Sequence, residues 1–126
     1  QGQQRVSSAF VVIVGVGTTG SAAATMLFRA GVERLRLVDG ACVRSTGWQS
    51  MSSKGILGAP KALVLRRALA AIRPGCEIDA VTENFTAGSA AEILGPTSDG
   101  HSPDLVLDCT GRPRSRADVI TYAGAR

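Results

Sequence analysis

The stretch Phe10-Val11-Val12-Ile13-Val14-Gly15-Val16-Gly17-Thr18-Thr19-Gly20, followed by an alanine-rich run and then Leu35-Arg36-Leu37-Val38-Asp39, decides the fold. Five apolar residues lead into a glycine-rich turn, a helical segment follows, and a second apolar strand ends on an acid about 20 residues beyond the last glycine. That order makes a strand, a phosphate-facing turn, a helix and a strand. Gly15 permits the tight turn, Gly17 lets backbone N–H groups approach a phosphate, and Gly20 lets the helix pack close to the strand. Asp39 stands where a ribose would lie. The glycines alone could serve only a close turn, but their context favours a nucleotide.

Working outward, strand and helix signals alternate without internal repeats. The first helix is expected from Thr18 to Ala30, stopped by Gly31, and the second strand from Arg34 to Val38. Residues 40–58 are rich in Ser, Gly and Thr and weak in periodicity, a long connection of the kind that carries function and would overhang the nucleotide. Pro60 suits the first turn of a second helix, in which Leu65, Ala68, Leu69 and Ile72 form a buried stripe and Arg66, Arg67 and Arg73 face solvent. A third strand is expected over 76–82, a short helix over 88–94 and a fourth strand over 104–108, with Pro113 opening a last helix. Right-handed crossovers then place the first strand centrally, with the ligand over the carboxyl ends of strands one, two and four. The fold class is α/β, a Rossmann-like three-layer arrangement around a mostly parallel sheet, and the 126 residues are expected to form one nucleotide-binding domain.

Composition narrows the class further. A hydrophobic fraction of 44% with 19% charge is that of a globular protein, and no apolar run approaches the ~18 residues of a membrane span. The amino terminus lacks the pattern of a signal peptide, so cytoplasm or an organelle matrix is the expected location. Cys42, Cys76 and Cys109 are odd in number and far apart, which fits neither a disulfide framework nor a zinc site. Cys76 and Cys109 read as buried small hydrophobes; Cys42 falls in a loop. The net charge of +4 suits an anionic ligand or partner, RNA included.

At this point the motifs resemble a family, the ThiF-type, E1-like adenylating enzymes. Gly2-Gln3-Gln4-Arg5 resembles the family's lead-in, Gly15 to Ser21 its phosphate loop, Ala30-Gly31-Val32 its first helix end, and Leu37-Val38-Asp39 its second strand. Gly58-Ala59-Pro60-Lys61 is similar to its Gly-x-Pro-Lys, and Leu105-Val106-Leu107-Asp108-Cys109-Thr110 to the strand that bears its Thr-Asp-Asn. Within the family, Cys42-Val43-Arg44-Ser45-Thr46-Gly47-Trp48-Gln49 resembles the Cys-Val-x-x-Thr-Asn-Arg-Gln of the tRNA threonylcarbamoyladenosine dehydratases. The resemblance implies ATP and Mg²⁺ as cofactors and adenylation of a substrate carboxylate, here cyclisation of N6-threonylcarbamoyladenosine in tRNA. Activation of a ubiquitin-like or sulfur-carrier protein at its C-terminus is the alternative, as is a nucleotide-binding but inactive E1-like subunit. Homo- or heterodimers are implied as well. The residues it assigns to the nucleotide are Gly15, Gly17, Thr18, Gly20, Asp39, Gln49 and Lys61.

Departures from the family pattern leave no catalytic residue assigned. The family's Asn-Arg pair falls on Gly47 and Trp48, or its arginine on Ser50, and the clamp on the phosphates is missing either way. The Asp expected to hold Mg²⁺ falls on Gly111, with Asp108 the nearby carboxylate and Arg112, Arg114 and Arg116 as replacement charge. Gly40-Ala41 stands where an acid is common, and the chain looks shortened relative to the family. An NAD-dependent dehydrogenase, which shares the glycine turn and Asp39, stays open from the residues alone, although it needs neither Lys61 nor Gln49.

Overall fold

The computed structural model describes residues 8–44 and 57–111. The elements run β1 (Phe10–Val14), α1 (Thr18–Ala30), β2 (Arg34–Val38), α2 (Lys61–Ile72), β3 (Glu77–Val81), α3 (Ala90–Ile93) and β4 (Leu105–Asp108). The four strands form one parallel sheet in the order β3-β2-β1-β4. β1 is buried along its whole length because it has a strand on either side and helices on both faces, which is why it can be apolar without alternation.

Two hydrophobic clusters sandwich the sheet. On one face Val11, Ile13, Leu35 and Leu37 pack with Ala24 and Phe28 of α1 and with Ala62, Leu65 and Leu69 of α2. On the other, Phe10, Val12, Val14 and Val38 pack with Phe85 and with Ala90, Ile93 and Leu94 at α3. The side chains alternate between faces along each strand, so the period of 2 is satisfied by two apolar layers. Crossovers on one face for β1 to β2 to β3 and on the other for β3 to β4 put the reversal of strand order beside β1, where a crevice opens.

The glycines shape that crevice. Gly31 ends α1 at φ 115°, and the N–H groups of Gly31 and Val32 return to the carbonyls of Phe28 (3.2 Å) and Leu27 (3.1 Å), a Schellman closure. Gly20 sits in α1 directly against the glycine turn: a Cβ there would stand 1.7 Å from the Gly15 carbonyl oxygen. Only glycine lets the helix start so close to the strand it follows.

Two expectations are corrected. The buried positions of α2 are Ala62, Val64, Leu65 and Leu69, while Ile72, its last residue, is 63% exposed. Periodicity identified the stripe but not where the covering sheet stops. Arg73 does not face solvent freely: its guanidinium lies 4.1 Å from the Phe28 ring centroid and donates to the carbonyls of Phe28 and Val32, tying the end of α2 to the end of α1. The third and fourth strands and the third helix are each trimmed to the bounds given above. Pro113, Arg112, Arg114 and Arg116 lie outside the described residues.

Candidate nucleotide site

Four residues expected at the site, Gly15, Gly17, Asp39 and Lys61, line one cleft of about 180 Å³ at the carboxyl ends of the strands. The glycine turn is held from three sides. Gly15, at φ 92°, donates its N–H to the Val38 carbonyl (2.8 Å), and the N–H of Cys109 reaches the Val14 carbonyl (2.7 Å). A Cβ on Gly15 would meet the backbone of Thr110 at 2.8 Å, so the turn and the end of β4 fit only without a side chain.

Gly17 differs from the other two. It caps α1 at its N-terminus with ordinary extended dihedrals, and a Cβ there would meet nothing within 4 Å. Its neighbourhood is open space in front of a helix start that no side chain caps and that has no acid in its first turn. Such an end carries partial positive charge from its N–H groups and suits an anion. Ser21, fully buried, braces it from behind by donating its hydroxyl to the Gly17 carbonyl. Thr18 is exposed at the first position of α1, beside the cleft rather than in its wall, and Gly20 lies behind the turn as a packing residue.

Asp39 is fixed by the chain it follows. Its two carboxylate oxygens accept from the N–H groups of Val16 (2.7 Å) and Ala41 (2.7 Å), so it links the glycine turn to the segment leaving β2. Each oxygen keeps a lone pair, which is what a ribose hydroxyl would need. Lys61 reaches the same cleft by a backbone ladder: Val43 N–H to Ala59 O (2.8 Å), Gly58 N–H to Val43 O (2.8 Å) and Lys61 N–H to Ala41 O (3.0 Å). Cys42 and Pro60 form the bridge in its middle. The ladder closes the long connection at its base and brings Lys61, the first residue of α2, to the cleft that Asp39 also lines. No carboxylate among the described residues pairs with the Lys61 ammonium. Gln49, with Gly47, Trp48 and Ser50, lies outside the described residues.

Asn84, Phe85, Cys109 and Thr110 also line the cleft and were not singled out for it from the sequence. Asn84 and Phe85 follow β3, and only the strand order, which sets β3 beside β2, brings them to the site. Cys109 packs on the apolar core and lines the cleft; burial, and secondarily the charge of Asp108, pushes its thiol up from the ordinary value. Cys76 is likewise half-buried against the core, and Cys42 is exposed.

The described residues do not fit a protein-held Mg²⁺. Gly111 has no side chain to offer, and Asp39, with one N–H on each oxygen, keeps only the lone pairs that the ribose hydroxyls would take. Asp108 spends Oδ1 on the Thr110 N–H (3.0 Å) and hydroxyl (2.7 Å), while Oδ2 is enclosed, with no hydrogen-bond partner and no solvent contact. No group of three His, Cys, Asp or Glu side chains among the described residues could hold a metal ion.

The family model for the ThiF family matches residues 1–126. The chain belongs to the ThiF family. Among ThiF relatives, tRNA threonylcarbamoyladenosine dehydratase 1 of Saccharomyces cerevisiae is 29% identical over 98% of this chain and 29% of its own length. The sulfur carrier protein adenylyltransferase of Thermus thermophilus is 35% identical over 87% of this chain and 39% of its own. A solved structure of Escherichia coli tRNA N6-threonylcarbamoyladenosine dehydratase in complex with ATP superposes with a TM-score of 0.82 at 26% identity, covering 98% of this chain and 49% of that one. The chain thus spans half or less of the length of these ThiF proteins. No helix among its described residues is long and apolar enough to cross a membrane.

Proposed function

We propose that this ThiF chain binds ATP in the cleft at the ends of β1 and β2 and takes part in adenylating a substrate carboxylate. The observation that carries the reading is the convergence of Gly15, Gly17, Asp39 and Lys61, which come from three different places in the sequence, on one cleft with an uncapped helix start and an ammonium that no carboxylate among the described residues pairs. The phosphates lie against the glycine turn and α1, the ribose hydroxyls on Asp39, and Lys61 neutralises charge on the polyphosphate. A carboxylate oxygen attacks the α-phosphorus, pyrophosphate leaves, and a nucleophile then attacks the acyl carbon of the acyl-adenylate and displaces AMP. The chain contributes position and fixed positive potential to that step.

The substrate we favour is the threonylcarbamoyl carboxylate of N6-threonylcarbamoyladenosine in tRNA, captured internally to give a cyclic product, in a homo- or heterodimer. It is supported by the Cys42 to Gln49 motif and by the likeness to the yeast and E. coli dehydratases. Activation of a carrier-protein C-terminus is the competing substrate class, supported by the T. thermophilus relative.

A second reading rests on a separate observation: among the described residues, no carboxylate of the cleft is without hydrogen bonds. With Gly111 in place of an acid, Asp39 holding two N–H groups and Asp108 Oδ2 enclosed, a nucleotide-binding subunit without its own catalysis fits the same geometry. Labelled pyrophosphate exchange into ATP separates the two. Exchange that needs tRNA carrying N6-threonylcarbamoyladenosine supports the dehydratase; ATP binding without exchange on tRNA or carrier protein supports the silent subunit. Protection from thermal unfolding by NADH but not by ATP would remove both.

A further inference from the structure

The geometry points to Asn84 as the specificity-determining residue of the cleft, a side chain that reads the base and selects adenine, with Gly40 as the residue that makes room for it. The inference rests on the nucleotide reading above and extends it to a group that reading leaves unassigned.

Strand order sets where the base would lie. With β3-β2-β1-β4 side by side, the phosphate position lies at the end of β1 and the ribose position at the end of β2. A nucleotide that continues in the same direction brings its base to the end of β3. There the cleft is lined by Phe85, a buried ring that offers an apolar wall, and by Asn84, which is exposed and whose side-chain amide makes no hydrogen bond among the described residues.

Asn84 is held close to Asp39 by the missing side chain between them. A Cβ on Gly40 would stand 2.6 Å from Asn84 Oδ1 and 2.8 Å from its backbone nitrogen. Gly40 does not have a positive φ, so close contact with Asn84 is what excludes a side chain there. Any other residue at 40 would displace Asn84 from its place at the base end of the cleft.

A carboxamide presents one acceptor and one donor at a fixed spacing. The exocyclic amino group and N7 of adenine complement that pair, as they do in amide readout of adenine elsewhere. Hypoxanthine carries O6 in place of the amino group and presents two acceptors on the same edge, so one end of the amide meets a like group.

Calorimetric titration of the protein with ATP and with ITP tests this. Wild type is expected to bind ATP about tenfold more tightly than ITP. Asn84→Ala should lower ATP affinity until the two agree within about twofold, with ITP affinity unmoved. Gly40→Ala should produce the same loss of discrimination by displacing the amide, which separates readout by Asn84 from a general effect of its removal. An ATP/ITP ratio in Asn84→Ala equal to that of wild type overturns the role of Asn84 while leaving nucleotide binding intact. Wild type that binds neither nucleotide overturns the nucleotide reading and this inference with it.

Discussion

Single atoms decide much of this site. Gly20→Ala would place a methyl 1.7 Å from the Gly15 carbonyl oxygen, backbone against helix with no flexible neighbour to yield. The expected cost is about 3 kcal/mol of unfolding free energy in a denaturant titration, with ATP binding lost as the turn shifts. Gly17→Ala, by contrast, meets nothing and should fold normally, so any loss it causes belongs to the ligand. Asp39 carries two N–H groups on two oxygens, and Asp39→Asn keeps only one of those acceptors. The variant should lose about 1–3 kcal/mol of stability and weaken adenosine as well as ATP. Lys61 has a different signature, because in the proposed reading its ammonium meets the polyphosphate and not the nucleoside: Lys61→Met should weaken ATP about tenfold and adenosine by less than about twofold. Equal losses for both ligands would show that Lys61 does not reach the polyphosphate. The glycines, Asp39 and Lys61 were readable in the sequence because each has a local context. Asn84 and Phe85 were not, since nothing in Glu83-Asn84-Phe85 marks them as neighbours of Asp39 until β3 is known to lie beside β2.

At the level of elements, β1, β2 and α1 follow the sequence to the residue because each boundary is marked by chemistry: apolar runs inside the sheet, Gly17 at one helix end, Gly31 at the other. α3 is different. It is only four residues long, and Arg36, buried on β2, holds it by donating Nη1 to the carbonyls of Ile93 (2.5 Å) and Gly95 (2.8 Å) while lying 5.0 Å from the Phe10 ring centroid. A charged residue in the middle of a core strand reads as a flaw in the pattern, and its reason appears only when the end of α3 arrives over it. Arg36→Met keeps the apolar stem but leaves those carbonyls without their charged donor, at an expected cost of about 2–3 kcal/mol. Hydrogen exchange should speed up over 90–95 and stay unchanged in α1. A uniform increase across the chain would mean that Arg36 supports the whole core rather than this element.

For the molecule as a whole, β4 is the strand that must return across the sheet to lie beside β1, and acids guide its approach. Asp104 accepts the Phe10 N–H at 2.8 Å while its own N–H reaches the Phe10 carbonyl at 2.8 Å, so the two strands start in register. That backbone donor, and after it His101, holds the Asp104 carboxyl below its ordinary range. In the loop before it, the Thr97 hydroxyl and then Arg34 bring Asp99 down to about 2. Both groups bind protons less readily folded than unfolded, so the stability they contribute is complete above their unfolded values near pH 4 and is lost as pH falls through the folded ones. Stability should therefore decline between about pH 4 and pH 2, over the window set by the Asp99 value of about 2. An Asp99→Asn, Asp104→Asn double variant should be less stable at pH 7 and show a shallower decline across that window in denaturant titrations at successive pH values. An unchanged slope would show that the pairing of Asp99 with Thr97 and Arg34, and of Asp104 with Phe10 and His101, does not set the acid limit of the sheet.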